Sequence, residues 1–179
     1  MKWLQRLFGG SNNMAALTAG TKAPDISLAA LDGGKFSLQE ALRQGPVVAA
    51  FFKVSCPVCQ YAFPFFERLH KTFGSKKVTV VGISQNDARD TAAFAKEYGL
   101  TLRMLLDDPN GYAVSNAYGL TNVPTLFLIA QDGTIEVSSV GWVKPEIEQV
   151  YAKLADGTKP APPPALFKPG EDVSDFRAG

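Results

Sequence analysis

The sequence predicts an α/β domain: a central mixed β-sheet flanked by helices, with a β-hairpin leading into it. Three observations carry the prediction. Residues 46–53 and 77–83 are apolar runs of strand length, Val47-Val48-Ala49-Ala50-Phe51-Phe52 in the first and rich in valine in the second. Strands covered on both faces read that way. The stretches between strands repeat their apolar residues at helical spacing. The βαβ order is followed by a terminal hairpin and helix, which brings strands of both directions into one sheet.

The elements follow in order along the chain. Residues 26–28 read as a short strand, Asp32-Gly33-Gly34 as a turn and residues 35–38 as the partner strand. A short helix is expected over 37–43, with Ser37 as N-cap and Glu40 as its capping-box partner. The strand at 46–53 precedes a helix over 59–73. In it Phe63, Phe66, Leu69 and Phe73 line the buried face, while Glu67, Arg68 and Lys71 face away. Pro64 should kink this helix and Gly74 should stop it. After the strand at 77–83 and a loop at 84–87, residues 90–98 form a helix ended by Gly99. A short strand at 103–106, a turn at 107–111 and a short helix at 111–118 come next. Residues 125–130 are a strand, Gln131-Asp132-Gly133 a hairpin turn and residues 134–140 the returning strand. The last helix covers 145–154, with Pro145 at a favourable early position.

A chain of 179 residues suggests one domain with an embellishment at each end: an arm at 1–19, the domain at 20–155 and a tail at 156–179. The tail holds Pro160, Pro162, Pro163, Pro164 and Pro169 and should be extended and mobile. Apolar residues make up 46% and charged residues 20%, as in a soluble globular protein. A net charge of +1 without a basic stripe offers nothing to nucleic acid. No apolar run is long enough to span a bilayer, and the N-terminus is a poor secretory signal. Cytoplasm is therefore the default location, and a monomer is expected. Trp3, Leu4, Leu7 and Phe8 could line one face of a short helix, either touching a membrane surface or a partner, or simply as a frayed arm. Residues 9–13 look like a flexible joint.

The chain's only cysteines form Cys56-Pro57-Val58-Cys59, just after the first apolar strand. Two cysteines cannot staple a domain of this size. A thiol at a helix start faces unpaired backbone N–H groups and the positive end of the helix dipole, and both favour a thiolate. Cys56 is then the exposed nucleophile and Cys59, one turn inside, the resolving thiol. Pro57 has no N–H and pre-sets the backbone for the helix start. A zinc site usually takes four ligands, and the chain offers two cysteines and one histidine, His70. A purely structural disulfide here would close a very short loop and stabilise little. His70 falls in the polar half of its helix near the end, which fits a solvated residue better than a catalytic base. Lys53 lies near the motif, as electrostatic support for a thiolate or as a solvated strand-end cation. Far downstream, Asn122-Val123-Pro124-Thr125 opens a strand with a proline.

Further segments share an order and spacing with this motif. They are Gly20-Thr21-Lys22-Ala23-Pro24-Asp25 with Leu31-Asp32-Gly33, Pro64 five residues after Cys59, and Val80-Val81-Gly82-Ile83-Ser84. The most specific is Tyr118-Gly119-Leu120-Thr121-Asn122-Val123-Pro124-Thr125-Leu126-Phe127-Leu128-Ile129, followed by Asp132-Gly133. From about residue 20 to 154 the chain resembles the thioredoxin-like superfamily, most closely its TlpA-like thiol-disulfide oxidoreductases and AhpC/TSA-related redoxins. The resemblance implies a thioredoxin-like fold with an extra N-terminal β-hairpin and a reversible Cys56–Cys59 disulfide. It also implies a cis peptide at Val123–Pro124, packed against that disulfide. The Val123 backbone would hold a substrate chain as a short added strand, and Pro124, Pro57 and Val58 would complete the substrate-binding surface. No cofactor is implied, since the dithiol carries two electrons. The implied partners are protein or small-molecule thiols and disulfides, with a recycling reductant or oxidant. The chain departs from thioredoxins proper in two places. Ser55 replaces the tryptophan before the first cysteine, and Ala50 replaces a buried aspartate that could move a proton of the second, so no general base is assigned.

Peroxiredoxins share this fold and carry a P-x-x-x-T-x-x-C motif, which would make Cys59 peroxidatic. Here Cys56 stands at the threonine position and Phe52 at the proline position, so the hydroxyl that orients peroxide is missing. A further reading is a non-catalytic redox sensor or binding module that uses the same groove.

Overall fold

The computed structural model describes residues 15–74, 76–107, 109–157 and 161–179. The readings placed on Trp3, Leu4, Leu7, Phe8 and the joint at 9–13 lie outside the described residues.

The chain runs β1 (Ser27–Ala30), β2 (Lys35–Ser37), α1 (Leu38–Gln44), β3 (Val47–Phe52), α2 (Pro57–Phe73), β4 (Thr79–Ser84), α3 (Ala88–Glu97) and β5 (Arg103–Leu106). It continues through α4 (Ala113–Ala117), β6 (Thr125–Ile129), β7 (Ile135–Val140), β8 (Trp142–Val143), α5 (Lys144–Asp156) and β9 (Phe176–Arg177). One sheet has the order β2-β1-β5-β4-β3-β6-β7. Its centre, β3–β4–β5, is parallel, and the β1–β2 hairpin, β6 and β7 add antiparallel edges. It is the mixed sheet the element order predicts.

The apolar run of β3 explains its central place. All six residues are fully buried, and they divide by strand alternation. Val48, Ala50 and Phe52 join the core beneath α2, while Val47, Ala49 and Phe51 join the core on the opposite face. On the α2 side the Phe52 and Phe63 rings lie 4.3 Å apart; on the other, Phe51 meets Tyr118 at 5.3 Å. Burying each large side chain contributes about 1.5–3 kcal/mol, which fixes the register of the site-bearing strand. In β4, a Cβ on Gly82 would come within 2.7 Å of the Met104 sulfur and 3.0 Å of the Phe63 ring. A bare backbone there lets α2 bed close to the sheet.

Four differences from the sequence reading bear on the site and its surroundings. The helix α2 starts at Pro57, two residues earlier than read, because Cys56 itself is its N-cap. Glu67 does not face away. It is 5% exposed and accepts from the Thr101 and Leu102 amides at 2.9 and 3.0 Å and from the Thr101 hydroxyl. A carboxylate can be buried on the core side of a helix when backbone donors satisfy it, and apolar periodicity is blind to that. His70 is half-buried rather than solvated, with Nδ1 buried against the helix end at Gly74. Finally, residues 161–179 are not a free tail. Leu166 and Val173 are buried in the core beneath α2, Phe167 packs on Phe65 and Trp142, and Arg68 grips Glu171 through two hydrogen bonds of 2.8 and 2.6 Å. β9 then pairs antiparallel with β8, a two-stranded sheet the sequence reading lacked.

Candidate active site

The parallel strand β3 delivers the cysteines to the carboxyl end of the sheet, where ligands gather in open α/β folds. The loop after it is pinned before the helix begins. The Val54 amide donates to Asn86 Oδ1 at 3.0 Å, Gln60 Nε2 donates to the Val54 carbonyl at 2.9 Å, and the Cys56 amide donates to the Lys53 carbonyl at 3.2 Å. Cys56 then adopts extended backbone angles at the N-cap, and Pro57 occupies the first turn, where a missing N–H costs nothing.

Both cysteines are free thiols. The Cys56 sulfur accepts from the Cys59 amide at 3.2 Å and donates to the Val123 carbonyl at 3.3 Å. Cys56 is half-buried and Cys59 fully buried. Burial pushes the Cys59 thiol well above its ordinary value, and the neighbouring Cys56 sulfur pushes it the same way. The pair is thus asymmetric: one accessible sulfur capped by a backbone N–H, and one protonated thiol beneath it.

Val123–Pro124 is a cis peptide, as the resemblance implied. Val123 is half-buried and Pro124 buried; the Thr125 hydroxyl donates to the Asn122 carbonyl at 2.8 Å, and the Pro124 carbonyl accepts from the Gly141 amide at 2.7 Å. These bonds hold the Val123 carbonyl toward Cys56. Pro57 is exposed and Val58 half-buried on the same helix start. The structure therefore gathers Cys56, Cys59 and Val123 by direct contact, with Pro57, Val58 and Pro124 as their chain neighbours.

The other residues weighed from sequence lie apart from the sulfurs. The exposed Lys53 places its ammonium 5.7 Å from the Tyr112 ring centroid, a cation–π contact rather than a thiol contact. With Gln85, Ser115, Asn122 and Val123 these two line a cleft of about 240 Å³ beside the cis peptide. A larger cleft of about 570 Å³ lies against β7 and α5 and touches neither cysteine. Ala50 is fully buried in the same core as Cys59. Among the described residues the buried acids are Glu67 and Asp107, and each is satisfied elsewhere, Asp107 by the Val114 and Ser115 amides. No group of three or more His, Cys, Asp or Glu among the described residues is placed to hold a metal ion.

Sequence reasoning missed Tyr61, Gly141 and Trp142 as neighbours of the site. The polar contacts of Tyr61 and Trp142 come from a segment more than thirty residues further on. The Tyr61 hydroxyl accepts from the Ser174 amide at 2.9 Å, and Trp142 Nε1 donates to the Ser174 carbonyl at 2.6 Å.

A mixed sheet of this order, with a C-x-x-C pair capping a helix beside a cis-proline loop, defines a thioredoxin-like thiol-disulfide oxidoreductase. Residues 19–138 match the AhpC/TSA family, and the chain belongs to that family. The chain is 31% identical over 144 residues to the thioredoxin-like protein YneN of Bacillus subtilis, covering 78% of this chain and 82% of that one. It is 28% identical over 137 residues to the thiol-disulfide oxidoreductase ResA of Halalkalibacterium halodurans, covering 76% of each. The thioredoxin domain of a thiol-disulfide oxidoreductase from Bacteroides vulgatus superposes with a TM-score of 0.68 over 77% of this chain and 98% of its own, at 21% identity, a likeness of fold.

Proposed function

We propose that Cys56 is the attacking nucleophile and Cys59 the resolving thiol of a reversible dithiol–disulfide cycle. The observation that carries this reading is the asymmetry of the pair: Cys56 is accessible and accepts a backbone N–H, whereas Cys59 is buried and held protonated. The Cys56 thiolate attacks one sulfur of a substrate disulfide, forming a mixed disulfide and expelling the other substrate sulfur as a thiolate. Once Cys56 is tied up, Cys59 gives its proton to solvent and attacks the Cys56 sulfur. That step forms Cys56–Cys59 and releases the second substrate thiolate. The substrate gains two electrons and the dithiol loses two; an external dithiol then reduces Cys56–Cys59 back to two thiols and is itself oxidised to a disulfide. Val123, Pro124, Pro57 and Val58 line the seat of the substrate chain, which adds as a short strand beside Val123.

On this reading residues 20–155 form the redox domain, preceded by an arm at 1–19, with the segment at 161–179 docked on it. The protein works as a cytoplasmic monomer, where the dithiol rests reduced. Its partners are polypeptide or small thiols and disulfides. Cys59 suits a peroxidatic role poorly: it is buried, and the position that would supply a threonine hydroxyl is Cys56.

Two variants test the roles. Cys56→Ser should lower disulfide turnover by at least about a thousandfold, as removal of a covalent nucleophile does. Cys59→Ser should accumulate the mixed disulfide, seen by intact mass. Turnover that survives Cys56→Ser, or peroxide reduction that survives it and is lost in Cys59→Ser, would overturn the assignment.

A further inference from the structure

The groove beside Val123 is not open. The segment after β9 lies across it, backbone against backbone. A Cβ on Gly179 would come within 2.6 Å of the Val123 carbonyl oxygen and 3.2 Å of the Gly141 Cα. A Cβ on Gly141, whose φ is +76°, would come within 2.6 Å of the Arg177 carbonyl oxygen. Both glycines are bare where the two chains meet, and this close approach is the reason. The Gly179 carbonyl accepts from Asn122 Nδ2 at 2.9 Å. The same Val123 carbonyl also accepts from Cys56. Gly179 therefore lies against the atom that accepts the Cys56 thiol hydrogen bond.

Its other contacts read like those of a bound peptide. Arg177 lays its guanidinium 3.8 Å from the Tyr61 ring centroid, on the helix that Cys56 caps. Arg177 and Phe176 pair with Trp142 and Val143 as an added strand, and the Lys144 amide donates to the Asp175 carbonyl at 2.9 Å. The residues from Asp175 to Gly179 are nonetheless exposed, with Phe176 at 62%. Little apolar area holds them down, so the segment is bound by strand pairing and one stacked cation rather than by burial.

We propose that residues 174–179 are an in-chain occupant of the strand-addition groove beside Val123. The partner this surface fits is an extended polypeptide that places an arginine on Tyr61 and, two residues later, a glycine-sized residue against Val123 and Gly141. The link to catalysis rests on the function proposed above. A polypeptide disulfide must displace the segment to reach Cys56, whereas a small disulfide needs only the half-exposed sulfur. The occupant thus filters substrates by size and sequence.

The test uses the full chain carrying Arg177→Ala and Gly179→Val together, which removes the stacked cation and forces a side chain against Val123. Amide exchange at positions 176 and 177 should speed up by about tenfold or more, and the Asn122 side-chain amide resonances should move. The cysteine-free peptide Phe-Arg-Ala-Gly at a concentration of order mM, comparable to a short tether, should return those resonances toward their parent positions. Phe-Ala-Ala-Gly should not. Reduction of a polypeptide disulfide should rise about tenfold if the groove is free about a tenth of the time in the parent chain, while reduction of oxidised glutathione should change little. Parent-like amide exchange in the double variant, a peptide that leaves Asn122 unmoved, or equal acceleration of both substrates overturns the proposal. If exchange and peptide binding behave as expected but neither chain turns over any disulfide, the occupant stands and the oxidoreductase cycle falls.

Discussion

The β3–α2 region and the segment at 161–179 are both docked on the same core, but they are held by different physics. β3 is buried along its whole length, and α2 adds Phe63, Phe66, Leu69 and Phe73, each fully buried. The segment contributes two buried apolar residues, Leu166 and Val173, and the ring of Phe167 packed on Phe65 and Trp142; the rest of its hold is polar or strand pairing, through Arg68 with Glu171, Trp142 and Tyr61 with Ser174, Tyr61 with Arg177, and β8 with β9. A region stabilised by many overlapping apolar contacts opens only with the whole domain. One stabilised by a few separate polar contacts can open alone. The comparison teaches that the dithiol sits on the rigid part of the molecule and its neighbour across the groove on the part that can leave.

The largest effect should come from the rigid side. Phe63→Ala removes a ring wedged between Phe52, Phe66 and Phe94, and should cost about 3–5 kcal/mol in denaturant unfolding. A loss confined to one local transition, with the global midpoint unmoved, would break the comparison.

Alkaline pH should act next, and on the same side. The folded state holds Cys59 protonated above its ordinary value of 9.0, so its contribution to stability is complete below that pH and declines as pH rises through it. The reduced protein should lose stability by up to about 1.4 kcal/mol per pH unit above that point. Buried Tyr118, also shifted upward, adds a loss of the same sign above its ordinary 10.0. Cys59→Ala should remove the first component and leave the second. Identical alkaline curves for parent and variant would show that Cys59 is not protonated by burial.

Acid should act on the segment alone and most weakly. The Arg68 guanidinium and the Lys168 amide hold the Glu171 carboxyl down at about 2, against an ordinary 4.5. Its contribution is complete above 4.5 and is lost as pH falls through about 2. Between those limits the protection of the Phe176 and Arg177 amides, taken relative to their intrinsic exchange rates at the same pH, should fall while the thermal midpoint of the domain barely moves. Arg68→Ala should give that exchange pattern already at neutral pH. A segment that stays protected until the whole domain unfolds would merge the two regions into one.

The same contrast explains how much of the molecule was legible in its sequence. β3, α2 and the β6–β7 hairpin announce themselves because burial on both faces or on one stripe leaves a local period. Cys56 and Cys59 were readable because a strand, a motif and a helix start follow one another within a few residues. Val123 and Pro124 came only through family likeness; a proline opening a strand says nothing by itself about a sulfur sixty-seven residues earlier. The segment's seat was not legible at all. Leu166 and Phe167 lie between prolines and Val173 between acidic residues, with no period to mark them, and Arg68 and Glu171 are ordinary charges until the fold brings them together. Glu67 misled for a related reason, since its burial depends on two amides just before a distant strand.

One backbone atom reports on the chemistry beside it. The Val123 carbonyl receives its hydrogen from the Cys56 thiol. Conversion of Cys56 to any disulfide removes that hydrogen, and the carbonyl becomes a vacant acceptor. A ligand that offers an N–H there then binds the oxidised form more tightly than the reduced one. Thermodynamic reciprocity requires the converse: that ligand makes the site harder to reduce, by the same factor. Val123 thereby ties the electron inventory of the dithiol to whatever chain occupies the groove.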